Sequence, residues 1–485
     1  ATSVFLRVDG REDEPCAVTL SAPRTGGDGW RVATTLPRAG ARAWGFGQYE
    51  ARNYDELADH PVEMGCFDQA RFEAAGVPHD IVISGRHDTD FTRLKKDLAA
   101  VCEAQIRLFE PRTGRAPFER YLFLTMAVGD SYGGLEHRAS TALICARNDL
   151  PHAGMTGVTD GYRTFLGLAS HEYFHSWLVK RIKPAAFVRY DLDRENYTRL
   201  LWIFEGFTSY YDNLMLVRAG VISVADYLKS LADTVSHVLR GPGRLNQSVA
   251  ESSFDAWTKF YRPDENSPNT VVSYYAKGAL VALCLDLHIR TRSAGRRSLD
   301  DVLRLMWRRH GRTFDDRPSG LDEDAFAALA LEATGVALEA ELTQWAYRTG
   351  ELPLGELLRT VGVEQSLKAA GDGAPSLGAR LATRNGDLTI ATALAGQAAM
   401  RAGMSSGDVI VAVDGLRVDE RSLNALLARR KAGDRIAVHA FRRDELMQFD
   451  VRLMAGEATE CGFTLDDQAT DAIRRQRNHW LGQHG

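Results

Sequence analysis

Short apolar runs broken by turn signals fill the first part of the chain. Residues 4–8, 17–20, 30–33 and 81–84 read as strands, separated by Asp9-Gly10, Gly26-Gly27-Asp28-Gly29 and Gly85. The expectation is a β-rich, sandwich-like domain over 1–87. Residues 4–8 already read as a strand, so its first part is expected to lie upstream of Ala1. From Asp90 the period changes. Phe91, Leu94, Leu98, Val101, Ile106 and Phe109 recur at helical spacing and predict a long amphipathic helix. Two apolar strands follow, Tyr121–Val128 and Ser140–Ala146, joined by what reads as a tight loop over 129–137. A second helix is predicted over 163–182, with Phe165, Leu168, Phe174 and Trp177 on its apolar side and Pro184 barring continuation. From Glu205 to about residue 363 the pattern stays helical. One helix there opens at Ser298-Leu299-Asp300-Asp301, a capping box with Asp in place of Glu. Residues 88–367 are therefore read as a mainly α-helical domain. The polar, glycine-containing stretch 368–375 reads as a linker. Beyond it, short strands and one helix predict a compact domain over 376–465. The polar tail, 466–485, is expected to end as a helix or fray.

Composition adds bounds. A chain of 485 residues predicts two or three domains. With 45% hydrophobic and 25% charged residues it has the make-up of a soluble globular protein. A formal net charge of −5 gives no reason to expect nucleic-acid binding. No apolar run approaches the roughly 20 residues of a membrane span, and no signal-peptide pattern follows Ala1. The expected location is a bacterial-type cytoplasm or periplasm. Six scattered cysteines without a CxxC pair read as free thiols.

The chemistry concentrates in His171-Glu172-Tyr173-Phe174-His175. On a helix the two histidines fall at i and i+4, one turn apart on one face. Two imidazoles so placed can hold one Zn²⁺, with Glu172 as base toward a water. The bland alternative is a pair of satisfied histidines on a half-buried face. Glu205 stands alone among Leu201, Trp202, Ile203 and Phe204. Burying it as an ion is costly unless it pairs or ligates a metal. It is read as a third ligand, or else as the partner of a cation such as Arg181. Tyr275, in Tyr275-Ala276-Lys277-Gly278, is read as a donor to a developing oxyanion, or as an aromatic core residue. Gly133-Gly134-Leu135-Glu136 lets backbone approach a ligand. Its carboxylate suits a free α-ammonium, or simply solvent in a turn.

Together with Trp177, the run Val179-Lys180-Arg181-Ile182-Lys183-Pro184, Tyr197-Thr198 and Glu205-Gly206, these motifs resemble the M61 metallopeptidases, typified by glycyl aminopeptidase. That family is similar to the M1 aminopeptidases and has a thermolysin-like catalytic domain of the HExxH…E group. The resemblance implies one Zn²⁺ per chain on His171, His175 and Glu205, and Glu172 as general base and proton shuttle. It implies Tyr275 as oxyanion stabiliser, and Glu136 with Gly133 and Gly134 as the grip on the substrate's amino terminus. An N-terminal Gly or Ala is the implied preference. Two departures stand out. Leu178 replaces an expected Asn, and His137 stands where M1 enzymes have Asn. Glu63, near the junction of the first two domains, is a further carboxylate that could reach the amino group.

Residues 398–415 resemble a PDZ domain of the bacterial protease type. Leu377, Gly378, Ala379 and Arg380 stand at its carboxylate-binding loop, where backbone N–H groups can cap a peptide C-terminus; the alternative is a domain that only packs on the catalytic body and binds nothing. The reading is a multidomain α+β zinc aminopeptidase. Its rivals are an endopeptidase guided by the PDZ-like domain and a non-catalytic scaffold.

Overall fold

A computed structural model describes residues 4–369 and 373–483. The N-terminal region is β-rich. β1 (Cys16–Leu20), β2 (Arg31–Ala33), β3 (Gly47–Ala51), α1 (Tyr54–Ala58) and β4 (Glu63–Gly65) make it up, β1 pairing with β3 and β2 with β4. Val18, Leu36, Tyr49, Tyr54 and Leu57 share its small core. Residues 4–8 form no strand, contrary to expectation. Val4, Leu6 and Val8 are all exposed, and a strand without a partner does not persist in water.

The next hairpin, β5 (Phe67–Ala74) and β6 (Val77–Ser84), belongs to a second sheet. It is joined there, across a helix α2 (Phe91–Phe109), by β7 (Tyr121–Val128), β8 (Tyr132–Glu136) and β9 (Ser140–Ala146) in the order β5-β6-β7-β9-β8. β6, β7 and β9 run parallel, with antiparallel strands at both edges. Alternation along the strands serves two cores. Ile81, Ile83, Tyr121 and Phe123 join the main helical core, while Val82, Leu122 and Leu124 cover Ala33 and Phe67. β8 lies in the segment expected to be a tight loop. Its two glycines are poor strand formers, but register with β9, from Tyr132↔Cys145 to Glu136↔Thr141, makes it an edge strand.

α3 (Asp160–Phe174) carries the histidine motif and ends at Phe174, short of the expected residue 182. The cause is local. His175 Nδ1 donates to the Leu178 carbonyl at 2.9 Å, and Val179 at φ 91° reverses the chain. β10 (Lys183–Pro184) then runs parallel to β11 (Gly320–Leu321).

The helical body comprises α4 (Leu201–Phe204), α5 (Gly206–Arg218), α6 (Val224–Leu239), α7 (Val249–Phe254), α8 (Ser267–Thr270), α9 (Ala276–Arg292), α10 (Leu299–Met306), α11 (Ala325–Thr334), α12 (Glu339–Trp345) and α13 (Leu354–Arg359). The expected cap forms at α10, where the Ser298 amide donates to Asp301 at 3.0 Å. α5 stacks on α3 through Tyr211 and Phe174, with ring centroids 5.2 Å apart. α5 and α9 meet backbone to backbone. A Cβ on Gly206 would lie 2.7 Å from Gly278 Cα, so neither position admits a side chain without moving a helix.

β12 (Val363–Ala369) leads out of this body. Lys368 and Ala369 of the expected linker are its last residues, and 370–372 lie outside the described residues. The C-terminal β domain holds β13 (Ala379–Arg384), β14 (Asp387–Ala393), α14 (Ala398–Arg401), β15 (Val409–Val413), β16 (Leu416–Arg417), α15 (Glu420–Leu427), β17 (Arg435–Arg442) and β18 (Glu445–Arg452), with its own core. Its strand order is β13-β14-β15-β17-β18, which leaves β13 at an edge. β19 (Ala458–Leu465) does not join that sheet. It returns antiparallel to β12, from Val363↔Leu465, and the ribbon lies on α6, where the Cys461 amide donates to Ser236 Oγ at 2.8 Å.

The tail is an ordered helix, α16 (Asp471–Leu481). Trp480 is fully buried. Its indole N–H donates to Tyr210 at 2.9 Å, Tyr210 donates to Asp286 at 2.7 Å, and Arg218 donates to the Trp480 carbonyl at 2.9 Å. No described helix is long and apolar enough to cross a membrane. Trp480→Ala both opens a cavity and strips Tyr210 of a donor. It is expected to cost about 3–5 kcal/mol in chemical denaturation, and a loss below about 1 kcal/mol would show that the tail does not support the body.

Candidate active site

The end of α3 and the start of α5 face each other across a cleft of about 650 Å³, floored by α3, with the β8 edge along one side. His171, Glu172, His175, Glu205, Tyr275, Glu136 and Gly134 all line it. His171 and His175 Nε2 are 3.1 Å apart, and Glu205 Oε2 lies 3.4 Å and 3.3 Å from them. The far ring nitrogens are engaged. His175 Nδ1 donates to the Leu178 carbonyl, and His171 Nδ1 faces Asp212 at 3.4 Å. Both Nε2 atoms are thereby left as lone pairs, aimed at one another and at a buried carboxylate oxygen that has no hydrogen-bond partner among the described residues. Three converging lone pairs repel unless a cation sits between them. Donor atoms around a tetrahedral ion with bonds of about 2.0–2.1 Å would stand about 3.3 Å apart. The set therefore fits Zn²⁺. Without a metal, protons take that place. Burial opposes charge on His171, but Asp212 and Glu205 outweigh it and raise its pKa well above the ordinary value. Burial likewise opposes ionisation of Glu205, and the two imidazoles still hold it down to about 2. Arg181, the alternative partner for Glu205, instead donates to the Arg138 and Ser176 carbonyls and faces Asp315.

Glu172 is buried, and one carboxylate oxygen lacks a hydrogen bond among the described residues. Burial pushes its pKa up to about 7, against the pull of His171 and His175 and with help from Glu136. A Cβ on Gly134 would collide with this carboxyl, so the glycine is what lets β8 lie on Glu172. Gly133 points away from the cleft toward Ile144. Glu136, Glu172 and His175 offer ligand-type atoms within 4.8 Å of one another. The Glu136 side chain makes no hydrogen bond among the described residues and stands where the cleft meets a neighbouring cavity.

The Tyr275 ring lies 6.3 Å from that of His171. Its hydroxyl shares a 2.9 Å hydrogen bond with Tyr261, which also accepts from Tyr274 at 3.3 Å. Burial, then the nearby Glu205, keep the Tyr275 phenol protonated. Glu63 sits on β4 outside the cleft. Leu377 packs in the C-terminal core, Gly378 is at φ 62° against Gln397, and Ala379 and Arg380 open the edge strand β13.

Asp212, Tyr261 and Trp257 escaped the sequence reading. Asp212 had a usable signal, since it stands seven residues after Glu205 (212 − 205) and shares its helical face. The other two belong to the π-helical turn Ala256–Phe260 and its cap, a geometry that periodicity does not announce.

Comparison with known proteins matches the M61 glycyl aminopeptidase model over residues 164–281, the M61 N-terminal domain model over 1–66 and a PDZ domain model over 375–453. No curated protein matches. Among solved structures, an M1 zinc metallopeptidase from Deinococcus radiodurans aligns at 15% identity and a TM-score of 0.45, covering 70% of this chain and 64% of that one. An aminopeptidase N family protein from Idiomarina loihiensis aligns at 40% identity and a TM-score of 0.92, covering 99% of this chain and 81% of that one. With that relative across nearly its whole length and both M61 models matched, the chain belongs to the M61 family of peptidases and carries a PDZ domain near its C-terminus.

Proposed function

We propose that the protein is a zinc-dependent aminopeptidase that removes N-terminal residues, Gly or Ala by preference, from peptides. The observation that carries this reading is one cleft holding both a His₂Glu donor set and a free carboxylate, Glu136, close to the base Glu172.

His171, His175 and Glu205 would hold the ion. Bound zinc supplies Lewis acidity, polarising the peptide carbonyl and acidifying water. Glu172, with a pKa near neutrality, takes a proton from the attacking water and hands it to the leaving amine. Water is thereby split between the new carboxylate and the new amine. The Tyr275 hydroxyl donates to the oxygen on which negative charge builds. Glu136 pairs with the α-ammonium and sets the register at one residue from the terminus. The free edge of β8 offers backbone groups to the substrate main chain. Asp212 and the Leu178 carbonyl orient the imidazoles, the usual work of groups behind a metal site. The PDZ domain, through residues 377–380 and the free edge of β13, would take a peptide C-terminus.

Glu172→Gln is expected to keep stoichiometric zinc by metal analysis and to lose about 10²–10⁴ in kcat. Near-normal turnover of a glycyl arylamide by that variant would remove Glu172 from the mechanism. Glu136→Ala is expected to raise KM and lower kcat for glycyl and alanyl arylamides, with little change on N-acetylated peptides. Efficient cleavage of N-acetylated peptides by the parent enzyme would instead make it an endopeptidase.

A further inference from the structure

The run Val179-Lys180-Arg181-Ile182-Lys183-Pro184 is not used by the reaction above. Lys180 and Lys183 line a second cavity, about 640 Å³, that meets the catalytic cleft only at Leu135 and Glu136. Most charges on its wall are paired. Lys180 Nζ lies 2.5 Å from Asp59, Arg138 reaches Asp55 at 2.6 Å, Arg7 lies 3.7 Å from Glu12, and Asp191 holds Arg194 at 2.5 Å.

Lys183 is different. It is 1% exposed, and among the described residues its ammonium meets neither a carboxylate nor a hydrogen-bond acceptor. Its neighbours are the rings of Tyr190, 4.7 Å away, and Phe314, 5.4 Å away. Burial, reinforced by Lys180 and Arg138, pushes its pKa down to about 7. Two aromatic faces offset only part of the cost of burying an ammonium. Arg189, exposed on the same wall, also has no acidic partner among the described residues. Against these two cations stand the exposed Asp13 on the outer wall and Glu136 at the mouth, whose charge reaches Tyr190, the ring over Lys183. The cavity thus offers an acceptor for an ammonium at its entrance and donors for a carboxylate within.

We propose that this cavity is a carboxylate-binding site centred on Lys183, filled by the side chain of a substrate's N-terminal Asp or Glu, or by a free small carboxylate. The substrate form rests on the reading of Glu136 as the amino-terminus anchor. Glycine and alanine ask nothing of the cavity. An acidic first residue fills it and gives Lys183 the partner it lacks, in surroundings that strengthen an ion pair. Glutamine, of equal size, brings only neutral acceptors.

The test compares glutamyl, glutaminyl and glycyl arylamides on the zinc-loaded full chain and on Lys183→Met. Succinate binding to both proteins is followed by calorimetry. If the substrate side chain is the occupant, the parent enzyme favours Glu over Gln. Lys183→Met then loses about thirtyfold or more on Glu and stays within about twofold on Gly, while Lys183→Arg recovers part of the loss. If a free carboxylate is the occupant, succinate binds the parent and not Lys183→Met, with no preference for Glu over Gln. A Glu/Gln ratio indifferent to Lys183, with no Lys183-dependent succinate binding, overturns the proposal. Should Lys183→Met fail to fold, the parent and Lys183→Arg measurements decide on the same criteria. Absence of any arylamide activity in the parent would overturn the aminopeptidase reading alone, because the calorimetry still reads the site.

Discussion

Two glycines touching across the α5–α9 crossing set the spacing on which the cleft depends. Gly206 follows Glu205 directly, and Gly278 lies three residues after Tyr275 (278 − 275). Both chemical groups therefore ride at the point of closest helix approach. Any side chain there would force the helices apart and carry Glu205 away from the two imidazoles of α3. Behind the contact, Phe174 against Tyr211 holds α5 on α3, so the three helices register as one unit. The site is a product of backbone proximity, and the polar groups exploit a geometry that packing has already imposed.

Electrostatics then divides the labour. Three carboxylates line the same cleft, and each meets a different environment. Glu205 lies between two imidazoles and stays ionised, Glu172 is buried under Gly134 and binds a proton more readily than an ordinary carboxylate, and the Glu136 side chain stands at the rim without a hydrogen-bond partner among the described residues. Burial and partner choice, not residue type, set these three carboxylates apart.

Much of this was legible in the chain because it is local. The i, i+4 histidines, the isolated Glu205, the long helix from Phe91 and the strands Tyr121–Val128 and Ser140–Ala146 are carried by periodicity and burial alone. What escaped depends on distant partners. Residues 4–8 have the pattern of a strand but nothing to pair with. Residues 132–136 have the composition of a turn but find β9. α3 stops early because a histidine ring, rather than a proline or a glycine, folds the chain back. β19 carries no sign that its partner lies before the PDZ domain. Asp212 was within reach of helical spacing, whereas the hydroxyl cluster of Tyr261, Tyr274 and Tyr275 exists only once the π-helical turn is in place.

The docked tail has a consequence in time. A ribosome delivers the chain from its amino end, so the motif helix, the glycine crossing and the entire PDZ domain emerge before α16 does. Until then Tyr210, five residues past Glu205 (210 − 205), lacks the indole that caps it, and Arg218 lacks the Trp480 carbonyl. α16 thus braces the peptidase body from beyond the PDZ domain, and a nascent chain still lacking it would hold the cleft residues on an unbraced frame. In an M61 peptidase, a brace drawn from beyond the PDZ domain ties completion of the peptidase body to synthesis of that domain.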